Sequence, residues 1–181
     1  AFAFAIVGLW VKMAFFPLHG WLPNAYSHAP STSACLLAPL GTKVAVYVMI
    51  RMMLTVFGPQ TVFAALPWSG VVVWLAVVDI VFASFLALSQ TSLRRMLCYL
   101  VVAEVGYMVG GAWLAGHYGM VGAVYHIVGD AFMTLCMFLA AGIMFREADP
   151  LAGFKGMFRR KPATMAAFIL ALPGVEDHDL S

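Results

Sequence analysis

The sequence predicts an all-α, polytopic transmembrane helix bundle with broken helices, made of about five full membrane spans and one truncated span. Of its 181 residues, 64% are hydrophobic and only 10% are charged, which is more apolar surface than a soluble domain of this size can bury. Apolar runs of about 18 residues or more recur, and this length crosses the hydrocarbon core. Polar and apolar residues alternate only weakly within these runs, which favours helices over the strands of a membrane barrel.

Turn residues divide the chain into helices. The first helix is predicted over residues 1–16, and a polar, turn-rich stretch over 17–32 follows it. Further helices are predicted at 33–57, 68–88, 97–115 and 119–145, with a partial helix at 163–173. Residues 1–172 are expected to belong to one transmembrane domain and 173–181 to an unstructured tail. The chain opens inside an apolar helix and its last apolar stretch is too short to span, so we expect part of a longer polypeptide.

Two prolines are expected to break helices at membrane depth. Pro17 ends the first helix five residues after Lys12. Pro39 lies inside the second helix, where it leaves the carbonyl of Cys35 without its usual donor, one turn before Lys43. Interrupted helices are tolerated where they border protein or a wet cavity, and they recur beside ionisable groups in transporters.

Basic residues predict the orientation of the connecting loops. Two lie in the loop at 90–96 and five in the loop at 146–162, whereas 17–32, 58–67 and 116–118 contain none. Because cytoplasmic loops carry an excess of Lys and Arg, the loops at 90–96 and 146–162 are predicted to be cytoplasmic. The expected location is a prokaryotic inner (plasma) membrane.

Ionisable residues inside the apolar helices are the main functional signal. There are six of them: Lys12, Lys43, Asp79, Glu104, His126 and Asp130. A charged side chain near a helix centre costs roughly 2.5–3.5 kcal/mol, so such residues normally face a bundle interior or a water-filled cavity. Groups of this kind, linked by water, can pass protons. His126 and Asp130 are four residues apart, hence on one helix face and within reach of each other.

The same residues also have structural interpretations. Lys12 and Lys43 could form salt bridges with helices outside this sequence, and His126 could be a satisfied core histidine. Asp79, alone on its helix, favours a local hydrogen-bonding or helix-partner role. For Glu104 the functional and structural interpretations are both open. The relay is nevertheless predicted to contain Lys12, Lys43, Glu104, His126 and Asp130.

No cofactor or metal site is predicted. Cys35, Cys98 and Cys136 lie far apart in apolar segments without metal-binding or haem-attachment spacing, so each is interpreted as a small buried residue. His19 and His28 lie in a loop without Cys or acidic companions, which argues against a metal site. Electron-transfer subunits need clustered Cys or paired His ligands. The net charge of +2 is too small to suggest nucleic acid as a partner.

The pattern K-x4-P-L-H-x-W-L-P-x-A at residues 12–25 is long and specific. With Ala-Pro-Ser at 29–31, Thr42-Lys43 and the basic start of the helix at 94–99, it closely resembles one family of antiporter-like membrane subunits. Members of this family occur in respiratory complex I, in Mrp-type Na⁺/H⁺ antiporters and in membrane-bound energy-converting hydrogenases. The resemblance extends over essentially the whole chain, to about residue 172.

The resemblance implies roles for particular residues. Lys12 would lie on a broken helix and pair with a glutamate of an earlier helix, Lys43 would be the central relay residue, and His126 would continue the relay. That glutamate, and a later Lys or Glu on another broken helix, lie outside this sequence. Asp130 stands where many members have a second His, and Thr134 where many have Lys. These departures favour the Mrp or hydrogenase branch slightly over complex I.

The leading hypothesis is a non-redox coupling subunit that moves H⁺, Na⁺ or both through the bilayer. Its partners would be other membrane subunits of an NADH-quinone oxidoreductase-like or hydrogenase-like complex or an Mrp-type antiporter. One alternative is an autonomous transporter of a small anionic substrate, whose carboxylate Lys12 and Lys43 would bind. Another is a non-conducting structural subunit, in which the charges merely hold helices together.

Overall fold

The computed structural model of the chain describes residues 2–64, 68–145, 159 and 162–171. Within them the regular structure is helical and no strand forms, which confirms the predicted fold class. The α-helices are α1 Phe2–Met13, α2 Trp21–His28, α3 Ser31–Arg51, α4 Ser69–Leu88, α5 Leu93–Trp113, α6 His117–Phe145 and α7 Pro162–Leu170. Two π-helical turns, Met52–Val56 and Gln60–Ala64, follow α3. The predicted tail at 173–181 and most of the predicted loop at 146–162 lie outside the described residues.

Four helical segments in the described residues have the length and apolar composition to cross a membrane: Ser33–Val56, Ser69–Leu88, Leu93–Trp113 and His117–Ile143. Helix α1 has 12 residues, fewer than a span needs. The described residues therefore hold four helices long enough to span a membrane and one shorter apolar helix at the first predicted position. Helix α1 ends before Pro17 because Ala14 adopts a left-handed backbone conformation with φ of 60°, which a right-handed helix cannot continue.

The stretch predicted to be turn-rich contains a short helix, α2. Pro23 is compatible with it because a proline in the first turn removes an amide that has no helical partner. The helix ends at Ala29, which is extended, as expected for a residue that precedes Pro30. The Trp21 indole Nε1 donates a hydrogen bond of 2.7 Å to the Val11 carbonyl. This bond ties α2 back to α1 across the interruption.

The two prolines expected to break helices behave differently. Residues 14–20 separate α1 from α2 around Pro17, and the Phe16–Pro17 peptide bond is cis. Pro39 lies inside α3, which continues as a helix on both sides of it. A proline there removes one backbone hydrogen bond, so the effect at Pro39 is local and the helix does not end.

The bundle is built around α5, which packs against α2, α3, α4 and α6. Two apolar clusters fill the interior. The first takes Cys35 and Ala38 from α3, the α5 residues up to Ala103, and α6 from Met137 onward. The second takes α3 from Ala45 onward, the α5 residues from Val105, and the first half of α6. A thin layer between the two clusters contains the buried polar residues of these three helices: Thr42, Lys43, Glu104, Asp130 and Thr134.

Candidate functional site

Lys43 of α3 is the centre of the polar layer. Its side chain is 3% exposed and lies between two buried carboxyl groups. The Lys43 Nζ atom is 2.9 Å from Asp130 Oδ2 on α6, an ion pair without hydrogen-bond geometry. It also donates a hydrogen bond of 3.3 Å to Glu104 Oε2 on α5. One cation therefore joins three helices.

Thr134 completes the arrangement from α6, one turn after Asp130. Its hydroxyl oxygen accepts a hydrogen bond of 3.3 Å from Lys43 Nζ. The same oxygen lies 2.9 Å from Asp130 Oδ1 and 3.2 Å from Glu104 Oε2. We call Lys43, Glu104, Asp130 and Thr134 the Lys43 cluster. Each of its members is at most 5% exposed.

Small side chains allow α3 and α6 to approach closely next to the cluster. Cys35 Sγ donates to the Phe138 carbonyl at 3.0 Å, and a Cβ atom at Gly142 would lie only 2.9 Å from that sulfur. Lys43 lies about two turns further along α3, and Thr134 one turn before Phe138 on α6. The close approach at one end therefore brings the Lys43 ammonium to the acidic face of α6.

The cluster contains one basic and two acidic groups inside apolar surroundings. Separating any of them from water is costly, and only good pairing repays that cost. With both carboxyls ionised the cluster would carry a net charge of −1, and with one of them protonated it would be neutral. A group of this composition can gain or lose a proton by small changes in its neighbours. Chemically, this arrangement is suited to holding and passing protons.

Three of the five predicted relay residues meet in this cluster: Lys43, Glu104 and Asp130. Lys12 does not. It lies at the end of α1 with an exposed side chain, and it forms no ion pair with any residue that the structure describes. The glutamate that the family resemblance assigns to Lys12 lies outside this sequence.

His126 also stays apart from the cluster. Its half-buried ring packs edge-on against Tyr107 with 5.9 Å between ring centres, and its Nε2 atom has no hydrogen-bond partner in the described part of the chain. No ion pair or hydrogen bond to a described residue links it to Asp130, although the spacing of four residues permits one. Asp130 instead contacts Lys43 and Thr134, whose charge and hydroxyl compensate its burial.

The structure gives Thr134 and Asp79 surroundings that the sequence did not predict. Thr134 entered only as a departure from a family pattern, although its spacing of four residues from Asp130 already placed both on one face. For Asp79 the sequence favours a local hydrogen-bonding or helix-partner role. It is 1% exposed on α4, and neither carboxyl oxygen forms a hydrogen bond with a described residue.

The interruption between α1 and α2 packs against α4 through aromatic rings. His19 stacks on Phe16 at 5.7 Å, and both rings contact Phe82 edge-on. Burial lowers the pKa of His19, because an apolar environment disfavours the charged imidazolium. His19 therefore packs among aromatic rings in this interruption, where burial favours the neutral imidazole.

The chain is similar to known membrane proteins along nearly its whole length. The transmembrane family described as NADH:quinone oxidoreductase/Mrp antiporter matches residues 1–175. NADH-quinone oxidoreductase subunit N of Desulforudis audaxviator is 36% identical over 173 residues, which cover 94% of this chain and 34% of the relative. Subunit M of Rickettsia bellii is 27% identical, covering 91% of this chain and 33% of the relative. The chain thus spans about a third of the length of these curated relatives.

Solved structures show the same likeness. A chain of the membrane-bound sulfane sulfur reductase, an archaeal respiratory membrane complex, matches with a TM-score of 0.82 and 25% identity, covering 96% of this chain and 30% of the other. A chain of the Mrp complex from Dietzia sp. DQ12-45-1b matches with a TM-score of 0.72 and 24% identity, covering 78% of this chain and 26% of the other. The second likeness is one of fold.

Proposed function

Because the chain belongs to the transmembrane family shared by NADH:quinone oxidoreductase and Mrp antiporters, we propose that it is part of an ion-translocating membrane subunit. Residues 1–172 contribute to one domain that moves H⁺, Na⁺ or both, and Lys43 lies at the centre of its path. The observation that carries the proposal is the burial of Lys43 between two carboxyls, at the boundary of two apolar clusters.

The geometry offers a physical route for a proton. Transfer of a proton from the Lys43 ammonium to the Asp130 carboxylate, 2.9 Å away, turns the ion pair into a neutral amine and a neutral acid. The apolar clusters on either side tolerate neutral groups far better than unpaired charges. Lys43 can then be recharged from another group, so that one proton advances per cycle. Glu104 provides the second acidic contact during this exchange.

The relatives suggest the setting in which this happens. Their names place them in an NADH-quinone oxidoreductase, an archaeal respiratory membrane complex and an Mrp complex. We infer that this chain likewise assembles with other membrane subunits, and that any electron transfer takes place elsewhere in the complex. Its location would be a prokaryotic inner membrane, with the loops at 90–96 and 146–162 on the cytoplasmic side.

The test replaces Lys43 in the full-length protein, reconstituted into vesicles with its partner subunits. Lys43→Ala is expected to abolish ion transport, measured with a pH-sensitive dye, while the complex still assembles. Lys43→Arg is the sharper variant, because arginine keeps the charge and does not release its proton in proteins. Val44→Ala, at a 57% exposed neighbouring position, is the matched control.

The results separate a relay from a structural ion pair. Loss of transport in both Lys43 variants, with assembly retained, supports proton exchange at this residue. Full transport by Lys43→Arg would show that a fixed charge is sufficient. Full transport by Lys43→Ala would contradict the relay and favour the interpretation in which the charges only hold helices together.

A further inference from the structure

The hydrogen atoms of the Lys43 cluster can be counted. The Thr134 hydroxyl has a single hydrogen, yet its oxygen lies within hydrogen-bond distance of two carboxyl oxygens, Asp130 Oδ1 and Glu104 Oε2. That hydrogen can be donated to only one of them at a time. The other contact between oxygens is favourable only if the carboxyl itself supplies a hydrogen. The geometry therefore calls for one protonated carboxyl.

The distances indicate which carboxyl carries this hydrogen. Hydrogen bonds to ionised groups are shorter than those between neutral groups. Asp130 is closer than Glu104 to Thr134, at 2.9 Å against 3.2 Å, and closer to Lys43, at 2.9 Å against 3.3 Å. Asp130 is thus the ionised partner in this arrangement. Glu104 Oε1 and Asp130 Oδ2 are both buried without a hydrogen-bond partner among the described residues, but Asp130 Oδ2 lies 2.9 Å from the Lys43 ammonium, whereas Glu104 Oε1 forms no ion pair with a described residue. The uncompensated oxygen of Glu104 is better suited to a neutral acid than to a carboxylate.

Charge balance leads to the same result. Both carboxyls lie within 3.3 Å of the Lys43 Nζ atom, and two carboxylates that share a buried site repel one another. With Lys43 charged, Asp130 ionised and Glu104 neutral, the cluster has no net charge. Both apolar clusters that border it then face a neutral group of residues.

We propose that Glu104 and Asp130 hold one proton between them, in addition to those of the Lys43 ammonium, and that the Thr134 hydroxyl passes it from one carboxyl to the other. In this transfer the Glu104 O–H bond breaks and its proton binds Thr134 Oγ1, while the original Thr134 O–H bond breaks and that proton binds Asp130. The total charge is unchanged. Lys43 contacts both carboxyls, so it stays paired as the negative charge moves from α6 to α5.

The transfer gives Thr134 a place in the path that the sequence did not assign. It carries a proton sideways, from α5 to α6, across the polar layer. The role of this step in transport rests on the proposed function. The presence of the shared proton is independent of the proposed function, because it follows from the hydrogen-bond geometry and the charge of the cluster at rest.

Infrared spectroscopy of the full-length protein in membranes tests for the shared proton. The C=O stretch of a protonated carboxyl is separate from that of a carboxylate and shifts on deuterium exchange. Glu104→Gln and Asp130→Asn should each remove one such band, since each variant leaves a single carboxylate to balance Lys43. Val44→Ala should keep the band. If neither amide variant changes this part of the spectrum, the shared proton does not exist and the proposal fails.

Transport by Thr134 variants tests the shuttle. Thr134→Val keeps the shape and removes the hydroxyl, and it should slow transport at least about tenfold, since positioned proton-transfer groups contribute roughly 10²–10⁴-fold. Thr134→Ser should restore most of the rate. Transport by Thr134→Val at the wild-type rate would overturn the shuttle. Normal transport by Lys43→Ala would instead refute the proposed function while leaving the infrared result unaffected, so the two failures are distinguishable.

Discussion

Two regions of this bundle bury carboxyl groups in opposite ways. In the Lys43 cluster, Glu104 and Asp130 share a lysine and a hydroxyl. On α4, Asp79 is equally buried, yet it contacts no cation among the described residues and packs against Gly106 of α5. We therefore expect the proton path to include the Lys43 cluster and not Asp79. The difference lies in the partner, because a buried carboxyl next to a cation can change its charge at a smaller cost than an unpaired one.

The largest effect is expected when the Lys43 cluster loses all of its negative charge. Each single variant, Glu104→Gln or Asp130→Asn, still leaves one acid for Lys43. The double variant leaves a buried ammonium without a counter-charge, and breaking such a pair costs about 3–5 kcal/mol. The free energy of unfolding of the purified full-length protein in detergent should fall by this amount. If the double variant loses no more unfolding free energy than the two single variants lose together, the pairing is contradicted.

A smaller loss of stability is expected where α4 and α5 meet. A Cβ atom at Gly106 would lie 2.8 Å from Ile80 Cγ1 and 3.1 Å from the Ala76 carbonyl oxygen. Overpacking of this kind typically costs about 1–3 kcal/mol, so Gly106→Ala should lower the free energy of unfolding by that amount. Gly122→Ala is the matched control on α6, because nothing lies within 4 Å of its Cβ position. Equal stability of the two variants would show that the close approach at Gly106 is unimportant.

The fold was largely predictable because its main signal is local. Uninterrupted apolar runs determine that a segment is a membrane helix, and the predicted positions of α3 to α6 agree with the structure within a few residues. The exceptions lie around Pro17. Helix α1 ends early at Ala14 and α2 forms in a stretch rich in turn residues. Both helices pack against elements distant in sequence, α1 against α3 and α2 against α5, and periodicity along one helix does not report such contacts.

The candidate site was predictable in its residues and not in its pairings. The cost of burying charge identified Lys43, Glu104 and Asp130 from the sequence alone. The spacing of four residues suggested His126 as the partner of Asp130. In the structure the partner of Asp130 is Lys43, which is distant in sequence. A contact between helices depends on their relative rotation, and a single sequence contains little information on it. The spacing of Thr134 from Asp130 was visible in the sequence, whereas its contacts with Lys43 and Glu104 on other helices were not.

Asp79 supplies the matching test in the unpaired region. Asp79→Asn removes its charge and keeps its shape, so the free energy of unfolding should change by no more than about 1 kcal/mol. Ion transport should stay close to the wild-type rate, whereas Asp130→Asn should transport poorly in the same assay. If Asp79→Asn lost transport as fully as Asp130→Asn, Asp79 would belong to the path. Its partner would then lie outside the described residues.

Lys12 should show the smallest effect on stability. Its side chain is exposed and makes no ion pair in the part of the chain that the structure describes. Lys12→Ala therefore removes no ion pair within the described residues, and we expect it to lower the unfolding temperature of the full-length protein less than the variants above. Transport should nevertheless fall if Lys12 has the relay role that its family pattern implies. Lys12→Arg then distinguishes a fixed charge from proton exchange. Full transport by this variant would show that a fixed charge is sufficient, and loss of transport would indicate proton exchange. A large drop in the unfolding temperature of Lys12→Ala would instead reveal a structural ion pair with a helix beyond this chain, and Lys12 would then resemble Lys43 more closely than its exposure here indicates.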